Sequence, residues 1–154
     1  MAFPWKRVLC PIDFSEPARA AVRAAVEICR MTGGELTLFH AYELPGYTLP
    51  EGSVVASPKM LQELSEQAEA HLVDWKKLAE DGSGLAVQIE KGIGEPALSI
   101  VELAQERGFD LIVVGTHGRT GIRHAILGSV AERVVRRAAC HVLTVHPDGY
   151  ARGA

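Results

Sequence analysis

At 154 residues the chain is the size of one domain, and with 47% of them hydrophobic it can bury an ordinary core. The formal charge of −3 is small and mixed in sign along the sequence, so no basic footprint points to nucleic acid and no polybasic stretch to a membrane surface. No apolar run reaches the length of a signal-peptide core or a membrane span, and a cytoplasmic protein is expected.

Taken in chain order, Arg7 to Ile12 is a short apolar run that reads as a buried strand ending at Asp13. Ser15 then stands where it can cap a helix whose first turn holds Glu16 and Pro17. Ala18, Ala21, Val22, Ala25, Val26 and Cys29 recur at helical spacing, and Gly33-Gly34 stops the helix. Glu35 to Tyr42 reads as a second strand. The connection Glu43 to Ser57, with Pro45, Gly46, Pro50 and Gly52, is longer than usual and is expected to be a mobile loop or a lid.

Ser57-Pro58 begins a second helix with its stripe at Leu61, Leu64, Ala68, Leu72, Trp75 and Ala79. Leu85 to Glu90 reads as a third strand and Gly92 to Pro96 as a turn. Ala97, Ile100, Val101 and Ala104 form the face of a third helix that ends at Gly108. Asp110 to Val114 is the fourth strand, and Val130, Val134, Val135 and Ala138 mark a fourth helix. His141 to His146 is the fifth strand, the domain is expected to span 1–147, and 148–154 to be a flexible tail.

Strands that alternate with helices and are themselves apolar call for an α/β fold: a single-domain, doubly wound, open parallel sheet with helices on both faces. Ligands in such sheets bind beyond the C-terminal strand ends, where the strand order reverses. The loops after the first and fourth strands therefore matter most. The three cysteines, Cys10, Cys29 and Cys140, lie in apolar runs without metal-ligand spacing and read as small buried hydrophobes of a reducing compartment.

Glycines 115, 118, 121 and 128 crowd the segment after the fourth strand. A P-loop is rejected, because no Lys follows a glycine in the required register. Gly92-Ile-Gly94-Glu-Pro-Ala97 matches the letters of a dinucleotide fingerprint, but it follows the third strand, and Asp110 opens the next strand where a ribose carboxylate would close it. Gly115 and Gly118 would let backbone N–H groups approach phosphates or ribose, and Gly128-Ser129 opens a helix whose free N–H groups face the same anion. With no Lys in the motif, neutralising the phosphates would fall to a divalent metal, to Arg119 or to Arg123. His117 and His124 show no third partner for a metal site.

Gly115-x2-Gly118-x9-Gly128-Ser129 resembles the nucleotide-binding motif of the universal stress protein family. The likeness extends to Cys10-Pro-Ile-Asp-Phe-Ser15, Phe39-His-Ala-Tyr42, Gly92-x-Gly94-x-Pro96 and Leu127-Gly-Ser-Val-Ala131, in that order along nearly the whole chain. The resemblance implies the adenine nucleotide alpha hydrolase-like fold with strand order 3-2-1-4-5. It places Pro11 and Asp13 beside adenine and ribose, Ala41 at a main-chain contact to adenine, and Gly115, Gly118, Gly128, Ser129 and Val130 at ribose and phosphates, with His117 and Arg119 as phosphate neighbours. Its cofactor would be ATP, or ADP or AMP, with Mg2+ held mainly by the phosphates. It also implies a homodimer through Val142, Leu143, Thr144 and Val145 of the fifth strand, an apolar edge of the kind that invites pairing.

The function these readings favour is a nucleotide-dependent stress-response switch. Two rivals stand beside it: a slow ATP hydrolase in the same pocket, and a nucleotide-free dimeric interaction protein. Asp13 and His117 are the only nearby candidates for hydrolysis, and they form no recognisable catalytic set. Asp13 also has a plain reading as a partner of helix-start N–H groups, Ser129 as a helix cap, and His40, His141 and His146 as framework residues.

Overall fold

The computed structural model describes residues 4–44, 47–49, 52–54, 56–117 and 127–147. In chain order the elements are β1 (Arg7–Pro11), α1 (Glu16–Thr32), β2 (Glu35–Tyr42), β3 (Tyr47–Leu49), β4 (Gly52–Val54), α2 (Pro58–Glu80), β5 (Gln88–Ile93), α3 (Pro96–Glu106), β6 (Leu111–Gly115), α4 (Ser129–Arg137) and β7 (His141–Val145). The main sheet runs β5-β2-β1-β6-β7 with every pairing parallel, which is the expected order 3-2-1-4-5. The order reverses between β1 and β6.

Both faces of the sheet are covered because the central strands alternate between two cores. Val8 and Cys10 of β1 and Leu111 and Val113 of β6 face α1 and α2, where they meet Ala21, Ala25, Cys29, Leu72 and Trp75. Leu9, Ile112 and Val114 face α3 and α4, where they meet Ala97, Ile100, Ala131 and Val134. A fully buried side chain of the size of Leu9 or Ile112 contributes about 1.5–3 kcal/mol. Buried on both faces, β1 and β6 must read as continuous apolar runs.

At the N-terminal end of the sheet the Asp110 carboxylate accepts the backbone N–H groups of Lys6 and Arg7, each at 3.1 Å. This fixes the entry of β1 beside β6 and gives Asp110 its role. Gly33 ends α1 in the left-handed conformation at φ 67°, and the Gly34 N–H returns to the Cys29 carbonyl at 3.1 Å.

Several expectations are corrected. The third strand begins at Gln88, not Leu85, and runs on to Ile93, so Gly92 lies within it opposite Ala41. Leu85 and Val87 are apolar because they pack on the core before the ladder starts, and the Val87 N–H is taken by the Glu80 carboxylate at 2.9 Å. This edge strand is polar and partly exposed, unlike the apolar strands expected throughout. The connection after β2 holds a two-stranded antiparallel ribbon, β3-β4, rather than loop alone. In α4 Val135 is exposed and Ala131 is in the core instead, because the face turned to the sheet is the one that carries Ala131, Val134 and Ala138 at i, i+3 and i+7. Ser57 does cap α2, accepting the Met60 N–H.

Candidate functional site

β1 ends against β2: the Ile12 N–H donates to the Phe39 carbonyl at 2.8 Å, and the Ile12 carbonyl accepts His40 Nδ1 at 2.8 Å. A carbonyl only accepts, so His40 carries its proton on Nδ1. The chain then bends sharply. Phe14 adopts φ 61°, a left-handed conformation costly for a residue with a Cβ. Its ring offsets that cost by packing on His40 at 4.3 Å and edge-on to His71 and Trp75 at 5.0 and 5.9 Å. Ser15 does not cap α1 with its side chain. Its N–H and hydroxyl both donate to Asp13 Oδ1, which ties the carboxylate to the start of the helix.

On the other side of the reversal, β6 ends at Gly115. The Thr116 N–H donates to the Val145 carbonyl at 2.9 Å, and the Thr116 carbonyl accepts the N–H of Gly128. The chain that leaves the sheet at Thr116 therefore returns to the same point before α4 begins. Gly118, Arg119, Gly121, Arg123 and His124, singled out in the sequence, lie outside the described residues.

These loops enclose a cavity of about 270 Å3 at the C-terminal ends of β1, β2 and β6. Pro11, Asp13, Ala41, Gly115, His117, Gly128, Ser129 and Val130 all line it, so the described members of the sequence-derived set converge on one place. Its remaining walls include Phe39 and Val114, which the sequence placed in the second and fourth strands, Pro96, which it placed in a turn, Ile100, which it placed on the face of the third helix, and His40, which it marked as framework. Thr116 was not singled out at all, although a polar residue between a strand-end glycine and His117 was the available signal. Among the described lining residues Asp13 is the one carboxylate, and no Lys or Arg contributes. Among the described residues no cluster of three or more His, Cys, Asp or Glu side chains could hold a metal ion.

Two of the helix N-termini in this region differ in kind. Glu95 caps α3, its carboxylate accepting the N–H groups of Ala97 and Leu98 at 3.2 and 2.8 Å. Desolvation pushes the Glu95 carboxyl up, but those two bonds and the Arg133 guanidinium outweigh it and hold the group below its ordinary value. A carboxylate already occupies the place where a pyrophosphate would sit, so the Gly92-x-Gly94 match does not mark a dinucleotide site. α4, by contrast, is capped by Gly128, which brings no side chain to its N–H groups. Those groups open on the cavity wall formed by Ser129, Val130 and Ala131.

Gly115 is not demanded by the protein's own packing. A Cβ there would meet only ordinary contacts, 3.6 Å from the His117 and Pro17 carbonyl oxygens, and its backbone is not left-handed. It lines the cavity with backbone alone. Gly94 is the contrary case, needed for a turn at φ 138°.

A model of the universal stress protein family matches residues 4–146. The universal stress protein MJ0531 of Methanocaldococcus jannaschii is 37% identical over 143 residues, which cover 92% of this chain and 82% of that protein. The solved structure of UspA from Lactobacillus plantarum is 25% identical, with a TM-score of 0.78 over 92% of this chain and 97% of that one. A universal stress protein solved in complex with cAMP is 28% identical, with a TM-score of 0.67 over 94% of this chain and 98% of that one.

Proposed function

The chain belongs to the universal stress protein family, and on that premise we propose that it binds an adenine nucleotide, ATP, ADP or AMP, in the cavity between the ends of β1 and β6. The observation that carries this reading is the α4 N-terminus, left without a capping side chain and opening on the cavity beside Gly115. Backbone N–H groups at such an end bind phosphate oxygens and favour negative charge. The family member solved with cAMP supports an adenine nucleotide as the ligand. The apolar wall of Phe39, Ala41, Ile100 and Val114 suits a flat base, and Asp13 suits ribose hydroxyls.

Asp13 is fixed by Ser15 at the start of α1, a placement that suits a contact to the ribose. Occupancy, rather than turnover, is then the output: the protein acts as a nucleotide-dependent stress-response switch in the cytoplasm. Magnesium, where present, is carried in on the phosphates. The protein pairs with a second copy through the edge of β7, which lies at the margin of the sheet.

Calorimetric titration with ATP, ADP and AMP, with and without magnesium, tests the reading. Saturable binding of at least one of them is expected, and no binding at millimolar concentration would overturn it. Phosphate release followed over hours separates a switch from a hydrolase: tight binding without turnover is the expected result.

A further inference from the structure

We propose that the groove between α1 and α2 is a second ligand site, built for a small organic acid whose carboxylate is held by arginines and whose apolar body sits between the helices. The groove encloses about 380 Å3, a volume in the range of small-molecule sites. It shares no lining residue with the cavity at the strand ends.

One wall follows from the sequence of α1. Val22 and Val26 stand one helical turn apart, and Arg19, Arg23 and Arg30, at i, i+4 and i+11, form the stripe beside them. The other wall is α2, with Trp75, Leu78 and Ala79. Val22, Val26, Trp75 and Ala79 are between 5% and 9% exposed, so they make a floor beneath a rim of longer side chains.

The charge of that rim selects the head group. Three guanidinium groups line the groove against two carboxylates, Glu27 and Asp81, in a chain whose formal charge is −3. No Lys or Arg stands among the described residues lining the other cavity, so the two sites suit different chemistry. The Arg19 guanidinium lies 5.4 Å from the centre of the Trp75 ring, and its Nε meets Glu16 at 2.9 Å. Arg30 meets Glu27 at 3.0 Å through one nitrogen. A guanidinium carries a fork of N–H donors, more than one such contact uses. Both ion pairs are exposed and of little net stability, so a ligand carboxylate can join or replace them.

The apolar part selects a small molecule over a partner protein. A standard protein interface takes about 800 Å2 from each side, whereas Leu78 is the one exposed large hydrophobic side chain among the described lining residues. A helix about 10 Å across would rest on the arginines and Leu78. A flat or slender body reaches the floor, where Trp75 offers the widest apolar surface.

Naphthalene-2-carboxylate and its neutral amide test this on the full chain, with Val and Leu methyl groups labelled for 1H–13C spectra. The carboxylate is expected to shift the Val22, Val26 and Leu78 methyl signals saturably, with a dissociation constant of about 1 mM or below. The amide should bind about tenfold more weakly, the scale of one hydrogen bond to a charged group. Arg23→Glu and Leu78→Glu, both at exposed positions, should each weaken the carboxylate about tenfold. No saturable shift at these methyls, equal affinity for acid and amide, or full affinity in either variant would overturn the proposal. Shifts confined to Val114 and Val130 would place the acid in the other cavity and overturn it equally. No nucleotide enters these titrations, so their outcome is independent of whether that cavity binds one.

Discussion

The Glu95 carboxylate reaches the Arg133 guanidinium at 3.1 Å, so the residue that caps α3 also ties it to α4 at the edge of the cavity. With side chains 37% and 54% exposed, the ion pair alone contributes under about 1 kcal/mol. The cap is the larger part, and Glu95→Ala is expected to cost roughly 1 kcal/mol in urea unfolding. Its carboxyl sits below the ordinary glutamate value, so it is a group whose pKa is depressed on folding. The contribution is present in full above the unfolded glutamate pKa and is lost as pH falls through the lower folded one. The gap between wild type and Glu95→Ala should be constant near neutrality and narrow in acid.

Gly115 separates stability from binding. Gly115→Ala adds a Cβ that meets nothing closer than 3.6 Å in the protein. Thermal unfolding should move by less than about 0.5 kcal/mol equivalent, while AMP affinity falls. Gly115→Val should abolish binding in a folded protein. Unchanged affinity in both would show that the ligand does not pass over this residue.

Phe14 tests how the β1–α1 turn is held. Phe14→Ala loses the ring contacts to His40, His71 and Trp75 and keeps the left-handed backbone, and should destabilise by about 2–3 kcal/mol. Phe14→Gly loses the same contacts but adopts φ 61° freely, so it should be less damaging by about 1 kcal/mol. An alanine variant more stable than the glycine variant would contradict this account of the turn.

The cysteines make an alkaline prediction. Burial, with the Asp110 charge behind it, pushes the Cys29 thiol from 9.0 up to about 11, and burial raises Cys10 still further. Between the unfolded and folded values the native state holds the proton that the unfolded chain releases, so these thiols stabilise below pH 9.0 and their contribution is lost as pH rises towards 11. In native labelling Cys140, only partly buried, should react first, and Cys10 and Cys29 only on unfolding.

At the sheet margin, Thr144→Lys places two like charges near the axis of a β7–β7 pair and should yield a monomer by light scattering. A wild type that is already monomeric at micromolar concentration would remove the dimer from the proposed function.

Much of this was legible because burial on both faces leaves a plain trace. β1 after Arg7 and β6 throughout are apolar, and their alternation with helices pointed to an open parallel sheet, while the strand order came from the family resemblance. Where a strand is covered less completely the trace misleads: Leu85 and Val87 are more apolar than the edge strand they precede, so periodicity placed β5 three residues early. The ribbon β3-β4 is held by backbone pairing over three residues per strand, too few to set a pattern. Within the site the glycines were readable from spacing, and Asp13 from its place at the end of the first strand together with the family resemblance. Thr116 was not, because its hydroxyl meets His117 beside it and His146 just past β7, thirty residues away in sequence on the neighbouring strand's end.

The clamp of Asp110 on the Lys6 and Arg7 N–H groups lies at the end of the sheet opposite the cavity. Attachments and stabilising substitutions can therefore be confined to that pole, with the strand ends that face the ligand left as they are. A tag, a surface tether or a fluorescent reporter joined ahead of Lys6 would enter at the end of the sheet away from the ligand, and the pocket would stay open to solution.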